Sequence, residues 1–128
     1  MTRRSLLTFL LLAPFVLTAC SAPQHLIVCG WDEVFVIDTT RAERGDITKL
    51  WSWRAKDRPE LPVELHKTYR TTDDCKPVKG GTRILITSSS TGCAVVEYTS
   101  GTVLWYATVP NAHSIELLPN DRLVVAAS

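Results

Sequence analysis

Two segments of this chain repeat each other without a gap. The segment TDDCKPVKGGTRILITSS, which begins at Thr72, aligns with NAHSIELLPNDRLVVAAS, which begins at Asn111, at an offset of 39 positions. In this alignment the apolar run that follows Arg83 aligns with the apolar run that follows Arg122, and the two arginines align with each other. A period of this length, with several short apolar runs in each unit, is typical of stacked β-sheet repeats. The repeat therefore favours a fold in which each unit buries its faces against its neighbours.

Short β-forming runs occupy most of the chain after its N-terminal segment. They are rich in Val, Ile, Leu, Thr and aromatic residues and are bounded by Gly, Asp, Asn, Pro or Ser. No segment sustains an apolar period of 3.6 residues, so the sequence predicts an all-β chain. The stretch from Arg54 to Gly81 is expected to be a surface excursion. The runs are HLIVCG, EVFVID, KLWSW, TRILITS, CAVVEY, TVLWYATV, SIELL and RLVVAAS.

The grouping of these runs into repeated units predicts a β-propeller made of four-stranded blades. The first run, HLIVCG, matches the second strand of the later units, so the first blade lacks its inner strand. At about 40 to 50 residues a blade, residues 25–128 supply about two and a half blades, where a closed ring needs at least four. We therefore expect a partial propeller domain at 25–128, the N-terminal fragment of a complete propeller; the alternative is a ring assembled from several copies.

The first 19 residues have the features of a lipoprotein signal peptide. MTRR is a short positive region, SLLTFLLLAPFVL is an apolar run shorter than a bilayer span of about 20 residues, and LTAC follows. Leu17 to Cys20 resembles the bacterial lipobox, in which a peptidase cuts before the cysteine and its thiol receives a diacylglycerol. This resemblance implies a lipidated Cys20 carrying acyl chains such as palmitate, a tether at 20–24, and an exported protein anchored on the periplasmic or cell-surface face of a bacterial membrane.

Charge and cysteine content narrow the function classes. Lys and Arg number 14 and Asp and Glu 13, and removal of Arg3 and Arg4 with the signal peptide leaves a net charge near −1. Such a charge gives no reason to expect a nucleic-acid partner. An odd number of cysteines follows Cys20 in this disulfide-permissive setting, so at least one has no partner within the chain. Their spacing matches no zinc pattern, and the sequence predicts neither a metal site nor a cofactor. These cysteines are Cys29, Cys75 and Cys93.

Two resemblances to known propellers agree with this grouping. The segment YTSGTVLWYATV resembles the turn-and-tryptophan element of quinoprotein-like propeller repeats. From His25 to Ser128 the chain is similar to an uncharacterised family of exported bacterial propeller proteins, through DDCKPV, RILITSSSTG and NAHSIELLPNDRLVVAAS. The resemblance implies an exported propeller but no particular activity, so the function has to be argued from the residues.

The repeat places three polar residues beside the predicted channel mouth. At the offset of 39, Asp74 and His113 share one blade position just before the inner strand, and Asp73 precedes Asp74. Propellers bind ligands at that mouth, so these residues are candidate ligand-binding groups that can hydrogen-bond sugar hydroxyls, ligate a cation or act as a base. The alternative is structural, because a histidine before the inner strand resembles that of tryptophan-aspartate repeat propellers, which orients turns within a blade.

The tryptophans have alternative roles as packing or binding groups. Trp31 follows Gly30 at a turn, where we expect packing between sheets, with stacking on a sugar as the alternative. Trp51, Trp53 and Trp105 lie in predicted strands and are expected to belong to the core.

Three function classes follow from these features. The first is a lipid-anchored, non-enzymatic module of the cell envelope that binds a glycan or an envelope protein. The second is a propeller enzyme, a polysaccharide lyase or hydrolase that uses His113 with an acid. The sequence contains no G-x-S-x-G elbow, so a hydrolase with a serine nucleophile of that type has no support. The third is a scaffold in outer-membrane protein assembly, by analogy with quinoprotein-like lipoproteins.

Overall fold

A computed structural model of the 128-residue chain describes residues 24–67, 69, 71–90 and 92–128. The predicted signal peptide at 1–19, the predicted lipidation site Cys20 and all but the last residue of the tether lie outside the described residues. Within the described ranges, no helix has the length and apolar character needed to span a bilayer.

The described residues form an all-β structure of nine strands and one short α-helix, as the sequence predicts for the fold class. The elements are β1 (His25–Cys29), β2 (Val34–Asp38), α1 (Thr39–Ala42), β3 (Lys49–Trp53), β4 (Thr72–Val78), β5 (Arg83–Ser88), β6 (Gly92–Glu97), β7 (Val103–Thr108), β8 (Ala112–Leu117) and β9 (Leu123–Ala127). Short 3-10 turns lie at Ala55–Asp57, Val63–His66, Lys79–Gly81 and Pro119–Asp121.

Three antiparallel sheets follow one another along the chain. Their strand orders are β1-β2-β3, β4-β5-β6-β7 and β8-β9, so each sheet is built from consecutive strands. The strand numbers of three, four and two match the predicted grouping, in which the first unit is one strand short. No sheet closes on itself in the part of the chain that the structure describes, and the identity of the sheets as propeller blades stays a prediction.

Two apolar clusters hold the sheets together, one on each face of the second sheet. Successive residues of a strand point to opposite faces, so Ile84 and Ile86 of β5 enter the first cluster while Leu85 enters the second. The first cluster is completed from the first sheet and the following segment by Val34, Trp53, Ala55, Leu61 and Tyr69, and the second is completed by Ile115 of β8. The second sheet is therefore the central layer, and its strands β5 and β6 are apolar on both faces.

The segment between β3 and β4 is packed onto the second sheet and is not the surface excursion that the sequence predicts. The indole Nε1 of Trp53 donates to the carbonyl of Gly101 at 3.1 Å, and the Glu60 carboxylate accepts from the Val103 amide at 2.9 Å. Leu61 and Tyr69 are buried, and the Tyr69 ring meets Trp53 edge-on with 5.6 Å between centroids. Apolar side chains at 55, 61 and 69 supply the reason, because they fill the first cluster.

The predicted excursion also contains a strand. β4 carries two aspartates, a lysine and Pro77, which is why its composition did not predict β structure. It is one of the two edge strands of the second sheet, and among the described strands it pairs with β5 alone. A proline is tolerated there because an edge strand leaves one row of backbone N–H groups unpaired by the sheet.

The tryptophans divide between core and surface. Trp53 is 1% exposed, as predicted for a core residue, and Trp51 packs against the first cluster with its ring 5.3 Å from that of Tyr98. Trp105 is 41% exposed, so its assignment to the core is wrong: it lies on β7, the outer strand of the second sheet. Trp31 is 75% exposed, so the expected packing of its side chain between sheets is not observed.

Candidate functional site

Both β4 and β8 begin with a β-bulge. In β4, Thr72 pairs with Ser88 and Asp74 with Thr87, which leaves Asp73 unpaired. In β8, Ala112 pairs with Ala127 and Ser114 with Ala126, which leaves His113 unpaired. A bulge redirects the side chain of the extra residue, and bulges are common next to functional sites. Asp73 and His113 therefore occupy one position in two successive hairpins.

The structural match differs from the predicted alignment by one residue in the first strand of each hairpin. β5 and β9 match at the predicted offset of 39, whereas β4 and β8 match at 40, because the turn of the third sheet is one residue shorter. His113 therefore corresponds to Asp73, and Ser114 corresponds to Asp74. The predicted equivalence of Asp74 with His113 is wrong by this one residue, although both aspartates and the histidine do lie at the start of β4 and β8, the first strands of their sheets.

His113 links the two sheets through a chain of hydrogen bonds. Its Nδ1 lies 2.7 Å from Asp73 Oδ2, and its Nε2 lies 3.2 Å from Ser128 Oγ. A carboxylate only accepts, so Nδ1–H donates to Asp73, and in the neutral ring Nε2 then accepts from the Ser128 hydroxyl. The His113 side chain is 51% exposed and that of Asp73 is 32% exposed, so solvent reaches both groups.

A second set of contacts begins one residue further along the same strands, at Asp74 and Ser114, and extends to Lys76 and Glu116. Lys76 Nζ bridges β4 and β8, with Asp74 Oδ2 at 3.0 Å, Ser114 Oγ at 3.1 Å and the Glu116 carboxylate as its partners. The Ser114 hydroxyl donates to the same Asp74 oxygen at 3.1 Å. The Glu116 and Asp74 carboxylates raise the pKa of Lys76, which keeps this side chain an ammonium.

These six side chains form one surface, which we name the β4–β8 polar cluster. Its three carboxylates and one ammonium leave a net charge of −2 when His113 is neutral. Its described members contain no set of three His, Cys, Asp or Glu side chains grouped to hold a metal ion. The members are Asp73, Asp74, Lys76, His113, Ser114 and Glu116.

An exposed aromatic residue lies next to the start of β4. The Thr72 hydroxyl donates to the carbonyl of Gly30, which fixes the turn between β1 and β2 beside the bulge at Asp73. Trp31 follows Gly30 in this turn, and its side chain faces solvent. Packing among the described residues does not account for Trp31, and stacking against a ligand is the alternative that the sequence left open.

The structure brings together all three residues that the sequence singled out and adds others that the sequence did not. Lys76, Ser114, Glu116 and Ser128 were missed. Two of them could have been found from the sequence, because Lys76 and Glu116 align with each other at an offset of 40 and carry opposite charges. A search for alignments with a one-residue gap in the turn finds this pair.

The cluster lies on an open surface. Two clefts lie elsewhere on the described residues, one lined mainly by apolar residues between the first two sheets and one beside Asp32 and Tyr69. Asp73 and His113 line neither of them.

Comparisons with known proteins identify no family for this chain, so its function has to be argued from the residues of the site. No family model, no curated protein and no solved structure matches this chain.

Proposed function

We propose that this protein is an exported, lipid-anchored β-propeller module that binds a glycan of the cell envelope at the β4–β8 polar cluster. The observation that carries the proposal is the contact between Asp73 and His113, which occupy matched bulges of successive sheets and remain exposed. Two neighbouring inner strands that present polar groups at the same end are what a ligand-binding propeller rim requires.

The chemistry of the cluster suits sugar hydroxyl groups. The carboxylates of Asp73 and Glu116 keep acceptor positions beyond their contacts with His113 and Lys76, so they can accept hydrogen bonds from sugar hydroxyls. The exposed indole of Trp31, in the adjoining turn, supplies an apolar face for a sugar ring. A row of hydrogen-bonding groups beside an exposed aromatic ring favours a glycan over a protein partner of the envelope.

The net charge of the cluster narrows the glycan class. A cluster with charge near −2 repels a polysaccharide that carries carboxylate, sulfate or phosphate groups. We therefore infer that the ligand is a neutral glycan or one that carries amino groups.

The test is a screen of the detergent-solubilised full chain against neutral, amino and acidic glycans, followed by calorimetry on the best ligand. The Asp73→Asn and Trp31→Ala variants each remove one proposed contact, and we expect each to weaken the affinity by about tenfold or more. Asp121→Asn is the matched control, because Asp121 is an exposed carboxylate at the opposite end of β8, where it pairs with Lys79.

We expect the control variant to bind within about twofold of the parent protein. Failure of every glycan to bind, or binding that is unchanged in both Asp73→Asn and Trp31→Ala, contradicts the proposal. Circular dichroism on each variant establishes that a loss of binding is not a loss of fold.

A second candidate, an enzyme acting on polysaccharide, is favoured by one observation. The order Asp73, His113, Ser128 along the hydrogen bonds is that of an acid orienting a base that faces a hydroxyl group. In such a mechanism His113 removes a proton from a sugar or a water molecule. Release of reducing ends from a bound polysaccharide, lost in His113→Ala, supports this candidate; binding without product formation supports the binding module.

A further inference from the structure

Cys29 and Cys75 lie against each other between the first and second sheets. Cys29 is the last residue of β1, and Cys75 lies near the middle of β4. Both side chains are partly buried and pack against the first apolar cluster. Burial raises the pKa of the Cys75 thiol and the adjacent Cys29 side chain adds to that rise, so the two side chains are neighbours.

The surrounding backbone fixes the two cysteines in this arrangement. The Thr72 hydroxyl donates to the carbonyl of Gly30, the residue that follows Cys29. Gly30 in turn donates its amide to the Glu33 carbonyl at 2.8 Å. These contacts hold the end of β1 against the start of β4.

Cys93 is in a different place. It is fully buried in the second apolar cluster, on the other face of the second sheet, and its thiol lies 3.8 Å from the Ala107 carbonyl oxygen. The layer of the second sheet separates it from the first cluster. Of the three described cysteines, Cys29 and Cys75 are therefore the two that the fold brings together.

We propose that Cys29 and Cys75 form a disulfide that joins β1 of the first sheet to β4 of the second, and that Cys93 stays a thiol. The structure holds all three as unbridged thiols, the state before oxidation. In the cell the bond rests on the proposed export, because exported proteins meet an oxidising compartment.

The oxidation needs a disulfide as its electron acceptor, either a small-molecule disulfide or an oxidised thiol–disulfide oxidoreductase. One cysteine attacks a sulfur of that oxidant, forms a mixed disulfide and releases one oxidant thiolate. The second cysteine attacks the mixed disulfide and releases the other thiolate. The two thiol protons pass to the two released thiolates, so the oxidant is reduced to two thiols while one S–S bond forms in the protein.

Burial affects the rate of this exchange. Desolvation, and next the neighbouring Cys29, raise the pKa of Cys75 to about 12. Since the thiolate is the attacking species, Cys75 of the folded protein reacts slowly at neutral pH. We therefore expect the bond to form during folding, before burial of Cys75 is complete, rather than by later oxidation of the folded chain.

The experiment uses the full chain with Cys20→Ser, which removes the thiol proposed for lipidation. The denatured, reduced protein is refolded with a mixture of oxidised and reduced glutathione, free thiols are alkylated, and peptides are mapped by mass spectrometry without reduction. We expect a Cys29–Cys75 linked peptide and an alkylated Cys93. The linked protein should lose about 10 °C in melting temperature on reduction, since the bond closes a long loop.

Matched variants separate the bond from the packing of the cysteines. Cys93→Ser should give the same link and the same shift on reduction, whereas the double variant Cys29→Ala/Cys75→Ala should melt at one temperature with or without reductant. A link that includes Cys93 overturns the proposal. So does refolded protein, with β-type circular dichroism, in which Cys29 and Cys75 both remain open to alkylation after denaturation.

This experiment is independent of the glycan proposal, because it uses purified protein without ligand. A chain that forms the link but binds no glycan leaves the disulfide in place and removes the proposed ligand. To test export, the same peptide map is made on protein from the envelope of an expressing bacterium; absence of the link there, with the link present after refolding, counts against export alone.

Discussion

Gly101 lies at the contact between the segment that precedes β4 and the turn from β6 to β7. Its φ angle is +70°, in the left-handed region that favours glycine. Its carbonyl accepts from the indole of Trp53, and its amide donates to the Glu97 carbonyl at 2.8 Å. A Cβ atom at this position would stand 2.6 Å from Nη2 of Arg58. Gly101 is therefore restricted both by its backbone angle and by its neighbour.

We predict that Gly101→Ala lowers the free energy of unfolding by about 1–3 kcal/mol, because a methyl group strains the backbone and displaces the Arg58 guanidinium. Urea denaturation measures this difference. Gly45→Ala is the matched control, since Gly45 has a φ of +81° but nothing within 4 Å of the added carbon. An equal loss in the two variants would show that the Arg58 contact adds nothing to the cost of the backbone angle.

Asp73 and His113 show how far the sequence predicts individual site residues. Their residue types and their place near the inner strands could be predicted, because the repeat aligns without a gap over both hairpins. Their contact could not be predicted, since it depends on a bulge in each strand and on a turn that differs by one residue. A gap-free alignment gives no sign of either feature.

At the scale of single elements, Glu33 connects the turn after β1 to both ends of β3. Its Oε2 accepts from Lys49 Nζ at 2.6 Å and from Arg54 Nη2 at 3.2 Å. Lys49 also stands 4.8 Å from the centre of the Phe35 ring. The hydrogen bond from Lys49, and then that from Arg54, hold the pKa of Glu33 below its ordinary value, against an opposing effect of burial.

We predict that Glu33→Gln lowers the free energy of unfolding at neutral pH by about 0.5–1 kcal/mol, since it removes the charge from both ion pairs. The folded-state pKa of Glu33 is depressed, so its contribution is complete above the unfolded pKa near 4.5 and is lost as pH falls through the folded value. The difference between parent and variant, measured by urea denaturation, should therefore shrink over the acidic range that begins near pH 4.5 and extends below it. A difference that stays constant over this range would contradict the assignment.

The strands differ in how well their sequences predict them. β5 and β6 could be predicted, because RILITS and GCAVVE are apolar runs buried on both faces. β4 could be predicted only through its alignment with the segment from Asn111, since TDDCKPV itself has neither alternation nor β-forming composition. Nothing in the sequence shows that the segment before β4 packs on the turn at Gly101, because this contact joins residues far apart in the chain.

At the scale of the whole molecule, stability depends on apolar contacts between sheets. The first and second sheets share one cluster, and the second and third share another. The third sheet has only two strands, and a two-stranded hairpin is at best marginally stable alone. Ile115 is the fully buried residue that joins this hairpin to the second sheet.

We predict that Ile115→Ala lowers the free energy of unfolding by about 2–5 kcal/mol, because it leaves a cavity in the second cluster. Val124→Ala is the control, since Val124 lies on β9 of the same hairpin but is half exposed, and its loss should stay within about 0.5 kcal/mol. Thermal unfolding followed by circular dichroism measures both. Equal losses in the two variants would show that the hairpin does not depend on this contact.

The order of the sheets along the chain could be predicted from the repeat, because each unit must bury its faces on the next. The sequence does not predict which residues fill the space between the sheets: Tyr69 and Leu61 come from a segment without β character, and Trp105, in a β-forming run, faces solvent. Burial of these residues is a property of the assembled layers.

The matched bulges have a consequence for how this surface changes over time. At Asp73 and His113 the strand pairing already omits one residue, so neither position forms a ladder pair with its partner strand. Replacing either side chain therefore removes no ladder pair of its hairpin. The proposed glycan preference can be varied at these two positions, for example in a designed library, without the loss of a cross-strand pair.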